Sequence, residues 1–173
     1  MPAERLVGQL NGGWKLITSQ LNHERIGLGA LGVVARGAFE RVLAWARSET
    51  DGQRPIDKTW VASTLADSYR RLEAMRLINY RLAADLTAGR MDIGLASGAK
   101  VFGTESMVAV YRQLLEVVGM GGLYREGSAA AELAGELEHG YRSATINTFG
   151  GGVNELLRDH VAQFGLGMPR PGR

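Results

Sequence analysis

Residues 93–118 read IGLASGAKVFGTESMVAVYRQLLEVV, and no other part of the sequence indicates the fold class as clearly. It contains no proline, and its apolar residues recur every three or four positions, the spacing of one helix face. The glycine-rich segment 119–122 ends it, because glycine is unfavourable in helical backbone. We therefore predict a long helix over about Ile93–Val118. Its predicted core face consists of Val101, Val108, Tyr111, Leu114, Leu115 and Val118.

A long helical pattern also precedes this stretch, from about Gly13 to Glu49. Its apolar residues are again spaced by three or four positions. Asn22 and His23 have weak helix propensity, so we expect a break near Leu21–His23. A polar turn from Thr50 to Pro55 ends this first helical region.

Three further helices complete the predicted set. One runs from about Lys58 to Thr87, and Gly89 is suited to the left-handed position just after it. A weaker helix covers about Ala129–Thr145, and a short one covers about Asn154–Gln163. Strand-like alternation with turn signals is absent. Long helices joined by short loops predict an all-α fold, an up-down four-helix bundle of long antiparallel helices.

The composition excludes several classes of function. The chain has 173 residues, with 20 Lys and Arg against 18 Asp and Glu, which is too balanced for an electrostatic nucleic-acid binder. It has no cysteine, so disulfides and thiolate chemistry are excluded. No apolar run approaches the ~18 residues of a membrane span, and there is no signal-peptide pattern. We therefore expect a cytoplasmic protein with no membrane span.

Two patterns in the chain have competing interpretations. Glu136 and His139 share a helix face, as in one half of a di-iron site, but a second such motif is missing, so a solvated helix end is the simpler interpretation. The glycine runs Gly119–Gly122 and Gly150–Gly152 could cradle a phosphate or form tight turns. Neither run matches a P-loop or dinucleotide fingerprint, which favours turns.

Glu24 is a third candidate. It stands beside an apolar stretch spaced by Gly27, Gly29 and Gly32, small residues that leave room for a ligand or for close helix packing. A carboxylate facing such a space is desolvated, which raises its pKa and suits a general base. From composition alone, a surface pair with Arg25 is the simpler interpretation.

Five segments together change that balance. They are Gly12–Leu16 (GGWKL), Leu21–Arg25 (LNHER), Val42–Arg47 with Arg54–Ile56 (VLAWAR, RPI), Ala99–Phe102 (AKVF) and Thr148–Asp159 (TFGGGVNELLRD). In this order, the segments resemble the C-terminal helical domain of acyl-CoA dehydrogenases, over about Leu6–Met168. The resemblance implies an FAD-dependent oxidoreductase of fatty acid or steroid β-oxidation, which forms an α,β double bond in an acyl-CoA thioester.

The resemblance also implies a catalytic base. In the family, a glutamate removes the substrate α-proton while a hydride passes from Cβ to FAD. Many members carry this glutamate in the closing segment, at the position of Gly151. Others carry it in the Leu-x-x-Glu-Arg stretch, where this chain has Glu24. The resemblance therefore makes Glu24 the candidate base, with Arg25 and Gly151 in the substrate pocket.

The flavin-contacting positions of the family match this chain less well. The expected cofactor-binding residues are Glu116, Gly119, Gly121, Gly122, Val153 and Glu155. Glu49 and Gly52 replace the family's flavin-contacting Arg and Phe, Glu116 replaces a Gln, and Val153 replaces a Thr. These departures resemble the actinobacterial type that acts on steroid side-chain CoA thioesters, in which two different subunits can share one flavin site.

Relatives in the family are about twice as long, with further domains that bind much of the FAD and CoA. We therefore expect 1–11 to be a leader from a missing β-domain, 12–164 the helical bundle, and 165–173 a flexible tail. Such a piece is expected to have little activity and to lose FAD when alone. Its expected partners are acyl-CoA and either a second copy or a different dehydrogenase subunit. The alternative function is a non-catalytic helical subunit or oligomerisation module.

Overall fold

The computed structural model describes residues 2–27, 29–49, 52–90 and 92–170, with backbone alone at 22, 23, 25–27 and 29–31. Most of these residues are helical, and none of them lies in a β-strand, so the all-α prediction is confirmed. The helices are α1 (Gly13–Gly27), α2 (Gly29–Arg47), α3 (Thr59–Thr87), α4 (Ile93–Val118), α5 (Glu136–Ile146) and α6 (Asn154–His160).

Helix α4 is the centre of the fold, because it contacts α2, α3, α5 and α6. Its buried side chains join those of its neighbours in one core. Apart from alanines, the most deeply buried apolar members of this core are Val42, Val61, Val110, Leu114 and Leu137, each at most 1% exposed. A helix covered on this many sides must be apolar around much of its circumference, which explains why the sequence of α4 is so informative.

The directions of the helices follow from the residues that meet. Between α3 and α4, Gln113 donates to Asp67 at 2.8 Å, while Met75 further along α3 lies beside Gly103, so the two helices are antiparallel. Between α2 and α3, the rings of Phe39 and Tyr69 lie 6.0 Å apart.

The pairing of α4 with the segment that follows it also reverses direction. The Tyr111 ring lies against Gly140, whereas Lys100, earlier in α4, contacts Thr148, beyond the end of α5. Helices α3, α4 and α5 thus alternate in direction along the chain. This is the arrangement expected of an up-down bundle.

The ends of α4 lie where the sequence predicts them. Asp92 caps the N-terminus, because its side chain accepts a 2.9 Å hydrogen bond from the Leu95 amide. Gly119 ends the helix with φ of 73°, a left-handed conformation that glycine adopts without strain. Gly89 follows α3 with φ of 69°, so the predicted glycine stop is confirmed there as well.

The predicted break near Leu21–His23 is wrong. Helix α1 continues through these residues to Gly27, and α2 begins at Gly29. Weak helix propensities cost only ~0.5 kcal/mol per residue, too little to interrupt a helix that packs against α3 and α4. The residue between α1 and α2 lies outside the described ranges.

The helix predicted over Ala129–Thr145 begins later than expected. A short 3₁₀ segment covers Glu132–Gly135, and α5 starts only at Glu136. Leu133, Ala134 and Gly135 have φ of 50°, 54° and 76°, so three successive left-handed residues of this segment directly precede α5. Left-handed conformations at Leu and Ala have no local sequence signal, which is why the pattern missed this junction.

The last predicted helix is correct at its start and changes form before its end. Helix α6 covers Asn154–His160, and a π-helical turn continues over Val161–Gly165. This turn packs on the start of α4, where a Cβ on Gly94 would lie 2.6 Å from the Gly165 Cα. The segments 1–11, 12–164 and 165–173 remain predicted divisions; within the first, Ala3–Arg5 form a 3₁₀ turn, and 171–173 lie outside the described ranges.

We expect Gly140→Ala to destabilise the fold. A Cβ at this position would lie 2.6 Å from Cζ of the Tyr111 ring, and this ring is buried in the core. Overpacking of this kind costs ~1–3 kcal/mol, which exceeds the ~1 kcal/mol that alanine gains over glycine in a helix. Urea denaturation followed by circular dichroism measures the loss of unfolding free energy.

Gly98→Ala in α4 is the matched control. Its added Cβ would meet Val161 Cγ2 at 3.5 Å, an ordinary contact. We expect this variant to be as stable as the parent protein or slightly more stable. Equal stability of the two variants would contradict close packing of Gly140 on Tyr111.

The hydrogen-bonded Asp67 carboxylate is expected to make the stability of the fold depend on pH. Its pKa is held well below the usual value by hydrogen bonds from Gln113, Arg70 and Arg71. A carboxyl with a lowered pKa in the folded state stabilises the fold above its unfolded pKa of about 4 and loses that contribution as pH falls below it. We expect Asp67→Asn to lower stability at pH 7 and to flatten the decline between about pH 5 and 3. Asp159→Asn, on the exposed side of α6, is the control, and an equal flattening there would contradict the assignment.

Candidate functional site

Glu24, the candidate base, lies on α1 with an exposed side chain. The side chain of Arg25, its expected neighbour in the substrate pocket, lies outside the described residues. Gly32 of α2 and Gly103 of α4 both lie beside Met75 of α3. A Cβ on Gly32 would be 3.4 Å from Met75 Cε, and a Cβ on Gly103 would be 3.9 Å from the same atom. The start of α2 therefore lies beside the N-terminal half of α4, and α1 leads to that half of the bundle.

Gly32 also bears on whether the small residues after Glu24 leave room for a ligand or allow close helix packing. Gly32 packs closely against Met75, as helix packing requires, and does not border open space on that side. The neighbouring side-chain positions 29–31 are outside the described residues, as is residue 28. At Gly32, close packing is the interpretation that the structure supports.

The closing segment forms a turn that ends in α6. Gly151 and Gly152 have φ of 67° and 108°, which a residue with a side chain rarely adopts. A Cβ on Gly151 would have no neighbour within 4 Å, so this part of the turn faces open space. Val153 and Glu155, which follow it, are exposed. The structure therefore brings three predicted residues, Gly151, Val153 and Glu155, onto one short segment.

Lys100 of α4 makes hydrogen bonds to the backbone of this turn. Its ammonium Nζ donates to the Thr148 carbonyl at 3.1 Å, the Gly152 carbonyl at 2.8 Å and the Asn154 Oδ1 at 2.8 Å. An ammonium has three N–H donors, and these three acceptors can satisfy all of them. Lys100 is 2% exposed, so its charge is removed from water and depends on such contacts.

Asn154 connects the lysine to an ion pair on the surface. Its Nδ2 donates to Glu105 Oε1 at 3.1 Å, and Arg158 donates to the same oxygen at 2.6 Å. Lysine can only donate and a carboxylate can only accept, so the amide of Asn154 must present its oxygen to Lys100 and its nitrogen to Glu105. The start of α6 is thereby fixed on α4 by both ends of one side chain.

The sequence interpretation missed this network. Lys100 was noted only as part of the Ala99–Phe102 motif, and Asn154 only as a match to the closing signature. A signal existed, because Lys100 is a lone cation in an apolar stretch and directly precedes the predicted core residue Val101. A charged residue on a buried face requires partners, and the sequence does not say which.

The second group of predicted cofactor residues lies at the other end of α4. Gly119 ends the helix, and a 3₁₀ segment covers Gly119–Leu123. Gly121 packs against the side chain of Glu132, Gly122 is buried, and Glu116 is exposed, 3.9 Å from Arg112. Of the glycines in this run, Gly119 borders open space, since a Cβ there would meet nothing within 4 Å.

These two groups are not brought together within one chain. From Lys100 to Gly119 the axis of α4 rises about 28 Å, at ~1.5 Å per residue. The turn around Gly151 and the segment around Gly119 therefore cannot contact the same atoms of a ligand. Glu49 and Gly52 flank a gap in the described ranges, with Glu49 exposed and Gly52 at φ of 75°.

The di-iron hypothesis finds no support at Glu136. This carboxylate forms a bidentate ion pair with Arg41 of α2, and Glu138 pairs with Arg142 at 2.9 Å. His139 lies 3.4 Å from the Ser143 hydroxyl. Among the side chains that the structure describes, which do not include that of His23, no three His, Asp or Glu residues are grouped as metal ligands would be.

The two ends of α4 differ in how well they fit a flavin dinucleotide. The closing turn has an open glycine and an exposed apolar Val153, which suit the edge of an uncharged ring. Near Gly119, the carboxylate of Glu116 does not suit a diphosphate, although the open backbone of Gly119 does. The closing turn is thus the part of the chain that fits the cofactor better.

Comparison with known proteins identifies the family to which this chain is similar. The sequence profile of the family described as acyl-CoA dehydrogenase, C-terminal domain, matches residues 11–166. Acyl-CoA dehydrogenase FadE26 of Mycobacterium tuberculosis is 42% identical over 179 residues, which cover 100% of this chain and 44% of FadE26.

Solved structures agree with this match. The structure named Tcur3481-Tcur3483 steroid ACAD has a TM-score of 0.91 at 46% identity, over 99% of this chain and 44% of that chain. The ChsE4-ChsE5 complex from Mycobacterium tuberculosis has a TM-score of 0.88 at 40% identity, over 99% of this chain and 45% of that one. The chain thus spans less than half the length of these relatives.

Among the described residues, no helix is both long enough and apolar enough to cross a membrane. The profile match covers nearly the whole chain, and the superposed structures share its helical architecture. This chain therefore belongs to the acyl-CoA dehydrogenase family, as a C-terminal domain of that family.

Proposed function

We propose that this domain works in an FAD-dependent dehydrogenase that forms an α,β double bond in an acyl-CoA thioester. The observation that carries the proposal is the arrangement around α4. Helix α1, which bears Glu24, leads to Gly32 beside the N-terminal half of α4, and the closing turn is held on that same half by Lys100. The candidate base and the best-fitting cofactor segment thus belong to one half of the bundle.

In the proposed reaction, the carboxylate of Glu24 accepts the proton that leaves Cα of the acyl group. Bound FAD would supply the acceptor for the hydride that leaves Cβ, so the proton and the hydride lost from the substrate would both be accounted for. Gly151 stands where many family members carry the base, and it offers open space in place of a side chain. Glu24 is exposed in this domain, so in the proposal the rest of the enzyme covers it and shields its carboxylate from water.

The proposed substrate class is a bulky acyl-CoA, such as a steroid side-chain thioester. One structure with high similarity over nearly the whole chain supports this class, since it is named a steroid ACAD. The open space at Gly151 is consistent with a large acyl group. The cytoplasmic location expected from the sequence stays a prediction.

The proposed partner is a second acyl-CoA dehydrogenase subunit, either another copy or a different chain. Large apolar side chains on α1 and α2 are exposed, including Trp14 at 80%, Val33 at 71% and Val34 at 60%. Exposed apolar surface of this kind is typical of an assembly interface. The separation of Gly119 from Gly151 along α4 also favours an assembly, because each end can serve a different part of a shared site.

A non-catalytic helical subunit is the second candidate. Glu49, Gly52 and Glu116 occupy positions where family members contact flavin through other residue types. Glu116 is exposed, and its ion pair with Arg112 is long at 3.9 Å. If these substitutions abolish cofactor contacts, the domain serves assembly alone. Glu24 distinguishes the two candidates, because a purely structural subunit has no use for a base there.

We expect Glu24→Gln to abolish dehydrogenation in the assembled flavoenzyme that contains this domain. Glutamine keeps the size of the side chain but cannot accept the α-proton, and loss of a general base costs ~100-fold to 10,000-fold in rate. Bound FAD, measured by absorbance, is expected to stay at the parent level. Glu40→Gln, an exposed acid on α2, is the control and should keep full activity. Activity in Glu24→Gln at the parent level would favour the non-catalytic subunit.

We also expect the 173-residue chain alone not to retain FAD. Its two candidate cofactor segments lie ~28 Å apart along α4, so one chain supplies only part of any single site. The measurement is the visible absorption band near 450 nm after gel filtration with added FAD, alongside the oligomeric mass. A retained band on a monomer would contradict the need for further polypeptide.

A further inference from the structure

The turn at Thr148–Gly152 is tied to the end of α5 at its first residues, because the amides of Phe149 and Gly150 donate to the Ile146 carbonyl. Its later residues have little conformational restraint of their own. Gly150, Gly151 and Gly152 are consecutive, and glycine has more backbone freedom than any other residue. A Cβ on Gly151 would meet no atom within 4 Å, so neighbouring side chains do not define its position. The shape of the turn must therefore come from contacts made by its backbone.

Lys100 supplies such contacts at both ends of the turn. Its Nζ donates to the carbonyl of Thr148, before the glycines, and to the carbonyl of Gly152, at their end. The Thr148 carbonyl also accepts a 3.0 Å hydrogen bond from the backbone N–H of Asn154. The ammonium thus fixes the distance between the two ends of the loop, and Asn154 closes it onto α6.

Burial makes this arrangement strict. An ammonium that is 2% exposed loses most of its hydration, and each acceptor that it fails to reach adds to the cost. The turn carbonyls are therefore held where the lysine needs them. Because the inner side of the turn is fixed in this way, so is the direction in which Gly151 and Val153 face on the outer side.

We propose that Lys100 is a positioning residue, which orders the Thr148–Gly152 turn so that Gly151 and Val153 present their outer face to the cofactor and acyl group. This inference rests on the proposed function for the identity of the ligand. Lys100 itself touches no ligand in the proposal, and it acts through the two carbonyls. Its effect is therefore on the order of the turn first and on the cofactor second.

The test compares Lys100→Met with Thr104→Val. Methionine keeps the length and apolar part of the side chain but removes all three donors. Thr104 is 3% exposed and belongs to the same network, accepting from Asn154 Nδ2 at 3.1 Å, but it makes no hydrogen bond to the turn carbonyls. Both variants disturb the buried network, but Thr104→Val leaves the hydrogen bonds from Lys100 to the turn carbonyls in place.

The first readout is amide hydrogen exchange in the 173-residue chain. We expect Lys100→Met to speed exchange at residues 149–154 by about 10-fold to 100-fold relative to Thr104→Val, the range for loss of a buried hydrogen bond. Exchange in the middle of α4 should change equally in the two variants. Unchanged exchange at 149–154 in Lys100→Met would overturn the proposal.

The second readout is the bound cofactor in the assembled flavoenzyme. We expect Lys100→Met to weaken FAD binding by about 10-fold and to shift the absorption maximum near 450 nm. Thr104→Val is expected to keep the parent spectrum, even where its melting temperature equals that of Lys100→Met. An identical loss of FAD in both variants would overturn the positioning role. If the parent assembly binds no FAD at all, the proposed function fails, and the exchange experiment still decides whether Lys100 orders the turn.

Discussion

The buried ammonium of Lys100 is the constraint on which the closing part of the structure depends. It joins the central helix to two backbone carbonyls and one amide oxygen of the segment 148–154. Without a partner for each donor, a cation at this depth would be strongly unfavourable. The glycines that make the turn flexible are thus compatible with an ordered fold because one side chain beneath them specifies where they lie.

Much of the fold followed from the sequence because it depends on local signals. The ends of α3 and α4 were predictable from two glycine stops. The junction at Leu133 and Ala134 was not, because left-handed backbone at these residues has no local sequence signal. The break expected near His23 failed for the related reason that tertiary packing outweighs weak propensity.

The candidate site was less predictable than the fold. Motif resemblance selected Glu24 and the closing segment, and the structure associates both with one half of α4, whereas Gly119 and Gly121 lie at the other end of that helix. Sequence order does not indicate such separation, since residues 119 and 151 both lie in short glycine-rich runs. The lysine network was missed because its partners are backbone carbonyls, which every residue carries and no motif records.

The orientation of the Asn154 amide has a consequence for the chemical ageing of the protein. Deamidation would replace its nitrogen with an oxygen, which would then face the carboxylate of Glu105 and could not donate to it. The new carboxylate would be poorly hydrated, since Asn154 is 3% exposed, and it would lie beside the like charge of Glu105. Deamidation of Asn154 would therefore weaken the contact between α6 and α4.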